Sequence, residues 1–198
     1  MNNDKSDCFV HAIQKLSAAH LMDANPVNWN EEVYPAEWLY IQRIADRLAV
    51  YCPTASENLT LAAHCQHLYR WEVARSTFPE GRTGYYKWRN YLSEYQAMKA
   101  SEILLQAGYD TDTAEQVKAI VKKENIQSNT EAQTLEDVVC LVFMEFYLDE
   151  FIRDKSELNM TTIIRKTWDK MSEKGHEEAL KLNFLDSTFQ IVKRALGL

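Results

Sequence analysis

The sequence QTLEDVVCLVFMEFYLDEFIR, residues 133–153, has the apolar composition of a buried strand or of a helix. Strands in globular proteins usually cover about 4–8 residues, whereas buried helices run longer. The apolar pattern here extends over 21 residues, which favours a helix. The acidic residues within it are Glu136, Asp137, Glu145, Asp149 and Glu150.

The rest of the chain also has the periodicity of helices with short connections. Glycine and proline are scarce, five and four residues, and most lie between apolar-periodic segments. Residues 23–35 and 75–84 are expected to be loops, and no segment has the pattern of a strand. Helices are expected over residues 6–22, 35–52, 56–73, 85–107, 111–124, 133–153, 160–174 and 176–196. The sequence therefore predicts an all-α, single-domain bundle of about seven or eight helices over residues 1–198.

Length and composition limit the class of protein. A chain of 198 residues with 46% hydrophobic and 26% charged residues suits one globular domain. We expect no signal peptide and no transmembrane helix, because no segment approaches the roughly 20 apolar residues that a span requires. The sequence does not specify an oligomeric state. Four cysteines without a Cys-x-x-Cys pair predict reduced thiols and a cytoplasmic location: Cys8, Cys52, Cys65 and Cys140.

Charge is distributed unevenly along the chain. The net charge of −7 makes nucleic acid an unfavourable partner. Residues 69–89, however, carry five cations against two acids, a local charge of +3. Guanidinium groups suit phosphate, and aromatic faces suit a base or ring; the alternative is that the arginines pair with nearby acids. The candidate substrate-binding residues are Arg70, Trp71, Arg75, Arg82, Tyr85, Trp88 and Arg89.

Two histidines occur in LAAHCQHLYRW, residues 61–71. On a helix, His64 and His67 share a face and could both bind one divalent metal ion. Alternatively, one imidazole lies in the core and the other in solvent. On the second predicted helix, Glu37 and Arg43 are further candidates for lining a pocket, or members of a solvated face.

Glu136 and Asp137 begin an otherwise apolar run. They are either first-turn charges favoured by the helix dipole, or Asp137 points inward. A buried carboxylate requires a cation, a metal ion or an imidazole opposite it, and His67 is the natural candidate. We therefore expect His67 and Asp137 to face each other, with Arg70, Arg75 and Arg89 converging nearby.

Three segments resemble the later helices of HD-domain phosphohydrolases: ASEILLQAGYD (100–110), VKAIV (117–121) and TLEDV (134–138). The resemblance places Asp137 at the last aspartate of the HD metal site. It places the His-Asp pair on Gln66 and His67, and the first histidine near Tyr40. Only His67 and Asp137 keep a suitable ligand type.

A second resemblance covers nearly the whole chain. The segments QHLYRW (66–71), RSTFP (75–79), GYYKWR (84–89), QTLEDVVCLVF (133–143) and KTWDKMSEKGH (166–176) resemble the family catalogued as domain of unknown function 4202. Ala74 replaces the proline, and Gln96 the histidine, that are usual at these positions.

These resemblances imply a metal-assisted phosphohydrolase acting on a nucleotide-like or other phosphorylated small molecule. His67 and Asp137 would be metal ligands or an acid–base pair, with His64 as a further ligand, and Glu136 would assist. The alternative is a phosphate-binding or regulatory module that has lost the metal. An RNA-associated role has only the basic, aromatic residues 69–89 in its favour.

Overall fold

The computed structural model describes residues 3–153 and 157–198, and most of these residues are helical, which confirms the all-α class. The chain forms two compact units, Met1–Ala132 and Gln133–Leu198. The first unit contains α1 (Asn3–His20), β1 (Pro26–Trp29), β2 (Glu32–Pro35), α2 (Ala36–Tyr51), α3 (Glu57–His64), α4 (Gly81–Gln106) and α5 (Thr111–Lys122), with short 3₁₀ turns at Arg70–Glu72 and Arg75–Thr77. α6 (Thr130–Phe146) begins at the boundary and is followed by α7 (Leu148–Arg153), α8 (Glu157–Trp168), α9 (Glu173–Ala179) and α10 (Asp186–Leu196).

A small hairpin occupies the segment predicted as the first loop. β1 and β2 pair antiparallel, and Asn30 and Glu31 connect them with φ angles of 51° and 66°. Two successive positive φ angles are typical of the type I′ turn that closes tight hairpins. The prediction that the chain contains no strand was therefore wrong. The strands are four residues long and their turn contains no glycine, so the sequence carries little hairpin signal.

The third helix is shorter than the predicted residues 56–73. It begins as predicted, because Ser56 Oγ accepts a hydrogen bond from a backbone N–H of the first turn. It ends at His64, and His67 and Tyr69 then adopt left-handed φ angles of 57° and 52°. His64 and His67 therefore do not share a helix face, and that prediction was wrong. The apolar spacing continues past the helix end, with no glycine or proline to mark it.

The fourth helix begins at Gly81, four residues before the predicted Tyr85. Gly84 lies in its first turns directly against the carbonyl of Pro79, where a Cβ would come within 1.7 Å of the oxygen. Only glycine allows this close approach. Gly108, with φ of 103°, follows the end of α4 as predicted.

The core of the first unit joins its helices around fully buried aliphatic side chains. α4 packs on α5, α3 packs on α5 and α2, and α1 packs against α2, α3 and α4. This packing brings the end of α1, the beginning of α2 and the end of α3 together. The largest wholly buried aliphatic residues of this unit are Leu16, Ile41, Ile44, Leu61, Leu68 and Leu104.

The second unit divides the predicted final helices into shorter ones. The helix predicted over residues 133–153 is interrupted at Tyr147, between α6 and α7. Gly175 was expected to end a helix but lies inside α9. Residues 180–185 separate α9 from α10, so one predicted helix became two. α10 packs on α7 and α8 around Leu148, Met160, Ile164, Val192 and Ala195.

Candidate functional site

A partly buried acid–imidazole pair lies where α2 meets the loop after α3. Glu37, in the first turn of α2, places Oε2 2.8 Å from His67 Nδ1. Burial lowers the pKa of His67 from its usual value, the hydrogen bond to Glu37 opposes this shift, and the positive charges of Arg70 and Lys123 add to it. We therefore expect His67 to be neutral at pH 7, with Nδ1–H donating to Glu37. This leaves the lone pair on Nε2, the form of imidazole that accepts a proton.

Tyr40 and Arg70 complete the surroundings of His67. The Tyr40 ring stacks on the imidazole with centroids 4.1 Å apart and planes 7° from parallel. Arg70 Nη1 lies 3.1 Å from Nε2 and 3.3 Å from Nδ1 of His67. Because these distances are nearly equal, Nη1 lies over the face of the imidazole and not in line with the lone pair of either nitrogen. Arg70 Nε is 3.7 Å from Glu37 Oε1, so the three charged or ionisable groups form one cluster, Glu37–His67–Arg70.

The backbone at this cluster is in a sparsely populated conformation. His67 and Tyr69 are left-handed residues two positions apart in a loop without glycine. Such conformations cost roughly 1–3 kcal/mol each and are concentrated at functional sites. The loop turns the His67 side chain away from the direction that a continued helix would give it. The strain therefore supports a role for His67 beyond packing.

His64 was expected to bind a metal ion together with His67, but it lines a cleft that His67 does not line. It lines a cleft of about 240 Å³ between α2 and α3, whose other walls are mostly apolar, such as Leu48 and Ala63. Burial lowers the pKa of His64. Its backbone carbonyl accepts a hydrogen bond from His20.

Arg70, Arg75 and Arg89 were expected to converge near His67. Arg70 contacts His67 in the structure. Arg75 donates to the carbonyls of Phe78 (3.0 Å) and Pro79 (2.9 Å), so its guanidinium stabilises its own loop. Arg82 lies over the Tyr86 ring at 5.6 Å, and Arg89 is exposed on α4.

The aromatic candidates divide in a similar way. Trp88 is 7% exposed and donates from Nε1 to the Val73 carbonyl at 2.9 Å, while its ring faces the Arg70 guanidinium at 5.5 Å. Tyr85 is 43% exposed. Trp71 is partly buried against Tyr69. The Trp88 ring therefore packs against the Arg70 guanidinium, and Tyr85 is accessible to a ligand.

In the second unit, Asp137 points inward and is 1% exposed. Oδ1 accepts hydrogen bonds from Gln133 Nε2 (3.0 Å) and from the backbone N–H of Ser172 (2.8 Å), and Oδ2 accepts one from Ser172 Oγ (2.5 Å). Gly175 lies so close that a Cβ there would be 2.8 Å from Oδ1. The inward orientation was one of the two predicted alternatives. The amide and hydroxyl donors that satisfy this carboxylate come from its own unit.

Glu136, also buried at 6% exposure, lies 3.4 Å from Lys170 Nζ. His67 and Asp137 belong to different units, and the expectation that they face each other stays a prediction.

Replacing Asp137 with asparagine should lower the free energy of unfolding by about 2 kcal/mol. The new amide group would oppose an N–H or O–H that now donates to a carboxylate oxygen, leaving a buried donor unsatisfied. Urea denaturation measures the change, and Asp169→Asn, at an exposed position in the same unit, is the control. Equal stability of the two variants would contradict the structural role of Asp137.

The side chains at the expected ligand positions are not arranged to bind the divalent metal ion that the HD resemblance implies. In the first unit, the Arg70 guanidinium occupies the space beside His67 and would repel a cation. In the second unit, both oxygens of Asp137 already accept hydrogen bonds. Among the described residues, no three His, Cys, Asp or Glu side chains are grouped so that they could bind a metal ion.

The sequence identified His67 and Arg70 but gave Glu37 only a secondary place. Glu37 and His67 are 30 residues apart, and no local pattern links them. The role of Tyr40 as a stacking partner had one signal, since the HD resemblance places a site residue near it.

Within residues 3–153 and 157–198, no helix has the length and apolar character needed to span a membrane. No curated protein and no solved structure matches the chain. Residues 10–192 match the family described as domain of unknown function (DUF4202). This match covers most of the sequence, including the Glu37–His67–Arg70 cluster, and the chain therefore belongs to the DUF4202 family.

Proposed function

We propose that this protein hydrolyses a phosphorylated small molecule, with His67 as the general acid–base, Glu37 as its partner and Arg70 as the phosphate-binding group. The hydrogen bond of 2.8 Å between Glu37 and His67 carries the proposal. A carboxylate that binds Nδ1–H fixes the tautomer of an imidazole and stabilises the imidazolium that forms when Nε2 takes a proton. The lowered pKa of His67 supports this role, because a base must be neutral at the start of the reaction.

The proposed reaction is hydrolysis of a phosphate ester. His67 Nε2 takes a proton from water as the water oxygen attacks phosphorus, and the ester P–O bond breaks. The proton on Nε2 then passes to the leaving oxygen, which restores neutral His67. Arg70 stabilises the negative charge on the phosphoryl oxygens.

The HD resemblance is part of this proposal. It places a site residue near Tyr40 and another at His67, and these two rings stack in the structure. A location in the cytoplasm is also proposed, and the free thiols of all four cysteines support it.

A second candidate is a module that binds a phosphorylated ligand without hydrolysing it. The residues at two HD ligand positions favour it, since Tyr40 stacks on His67 and Gln66 Nε2 lies 3.4 Å from the Ala62 carbonyl. Neither residue is a metal ligand of the HD type.

Phosphate release from nucleotides, sugar phosphates and p-nitrophenyl phosphate tests the proposal, with EDTA, Mg²⁺ or Mn²⁺ as separate conditions. Arg70→Lys keeps the charge but loses the planar fork, so we expect KM to rise about tenfold. Arg194→Lys, at an exposed position on α10, should leave KM unchanged. Two results together would overturn the proposed hydrolysis in favour of the binding module. The wild type would release no phosphate, and Glu37→Gln and His67→Gln would still bind the phosphate ester as tightly as the wild type.

A further inference from the structure

Two residues at and just beyond the end of α1 contact the backbone near each member of the Glu37–His67 pair. His20, the last residue of α1, is 0% exposed, and its Nε2–H donates to the carbonyl of His64 at 3.0 Å. His64 ends α3, and the left-handed residue His67 follows three positions later. The hydrogen bond from His20 therefore fixes the point from which the loop carrying His67 departs.

Asp23 makes the corresponding contact with α2. It is 4% exposed, and its Oδ2 accepts a hydrogen bond from the backbone N–H of Glu37 at 2.9 Å. Its Oδ1 accepts from the backbone N–H of Asn25 at 3.0 Å and from the Asn25 side-chain amide at 2.6 Å. Asp23 is thus held rigidly while it holds the first turn of α2, where Glu37 lies.

The polar groups of His20 and Asp23 are not needed merely to fill the core. His20 Nδ1 is buried and has no hydrogen-bond partner among the described residues. An aliphatic side chain would fill the same space without an unsatisfied nitrogen. Asp23 is a buried carboxylate that accepts the backbone N–H of Glu37, a first-turn group of α2 that has no partner within the helix and that the N-cap residue Pro35 does not satisfy. Both residues therefore carry a desolvation cost, Asp23 at the backbone of Glu37 and His20 at the end of the helix that precedes His67.

We propose that His20 and Asp23 are positioning residues that together align His67 and Glu37, so that one short segment, residues 20–23, sets the geometry of the acid–base pair. Reactive groups must be held within about 0.5 Å of their productive arrangement, and fixed backbones on both sides are the means of achieving it. The inference rests on the proposed function for its role in catalysis. The alignment itself is a separate property of the protein.

NMR of the ¹⁵N-labelled full chain tests the alignment without a substrate. In the wild type, His67 should show the Nδ1–H tautomer with a slowly exchanging ring proton. His20→Leu removes the donor to His64, and Asp23→Ala removes the acceptor for Glu37. Each should accelerate exchange of the His67 Nδ1 proton at least about tenfold.

His20→Gln should restore slow exchange, because its amide Nε2–H can reach the same carbonyl. Asp46→Ala, at an exposed position on α2, should match the wild type. If His20→Leu does not fold, Asp23→Ala decides alone, because it alters a segment beyond the end of α1. Wild-type exchange and tautomer in a folded Asp23→Ala protein would overturn the proposal.

Turnover separates this inference from the proposed function. With an active wild type, Asp23→Ala should lower kcat and leave KM nearly unchanged, because Arg70 is untouched. If the wild type releases no phosphate from any compound, the proposed function fails while the NMR result still decides the alignment.

Discussion

Replacing His67 with glutamine is expected to lower kcat for phosphate-ester hydrolysis by roughly 10²–10⁴-fold, the usual contribution of a general acid–base. Glutamine can still donate a hydrogen bond towards Glu37, but it cannot take a proton from water. Substrate binding should persist, because Arg70 keeps its interaction with Glu37. Steady-state kinetics on any compound that the wild type hydrolyses would measure the change.

His11→Gln is the matched control, since His11 is exposed on α1 and the substitution is the same. Equal activities of the two variants would show that His67 is not the acid–base group. A rise in KM without a fall in kcat would assign His67 to binding.

The second large effect concerns stability in acid. Burial lowers the pKa of His20 from 6.5 to about 4, although the hydrogen bond to the His64 carbonyl and the charge of Glu37 oppose the shift; the neighbouring His67 and His64 lower it slightly further. As the pH falls, His20 is therefore protonated near pH 6.5 in the unfolded chain but only near pH 4 in the folded chain. The contribution of neutral His20 is fully present above pH 6.5 and is lost as the pH falls towards 4.

This loss should amount to about 3 kcal/mol, since one pKa unit corresponds to about 1.4 kcal/mol. Urea denaturation of the wild type and of His20→Gln between pH 7 and pH 4 isolates the term. The variant should be less stable at pH 7, and the difference between the two proteins should shrink as the pH falls. The lowered pKa values of His64 and His67 act in the same direction in both proteins. Parallel curves would contradict the burial of neutral His20.

Local signals explain which elements the sequence predicts well. Ser56 caps α3 with its own hydroxyl, and Gly108 supplies the positive φ that follows α4. Both effects act within a few residues, so the sequence displays them. The early end of α3 lacks such a signal, because the left-handed residues His67 and Tyr69 replace the glycine that usually marks a helix end.

The candidate site depends on contacts that no local pattern contains. The sequence predicts His67 and Arg70 because they lie in one short segment rich in functional side chains. It gives Glu37 a secondary place, because only the packing of α2 against α3 brings this carboxylate to the imidazole. Of the two alternatives that the sequence leaves for Asp137, the inward orientation is the one observed. Its partners, however, are the neutral donor groups of Gln133 and Ser172, whereas the sequence argument considered only a cation, a metal ion or an imidazole.

The most direct test is an NMR titration of the His67 ring nitrogens with inorganic phosphate, in the wild type and in Arg70→Gln. At pH 7 we expect neutral His67 in the Nδ1–H form, hydrogen-bonded to Glu37. Added phosphate should shift the Nε2 resonance in the wild type and have a much weaker effect without the Arg70 guanidinium. A charged His67 at pH 7, an Nε2–H tautomer, or a ring insensitive to phosphate would contradict a phosphate-binding acid–base cluster formed by Glu37, His67 and Arg70.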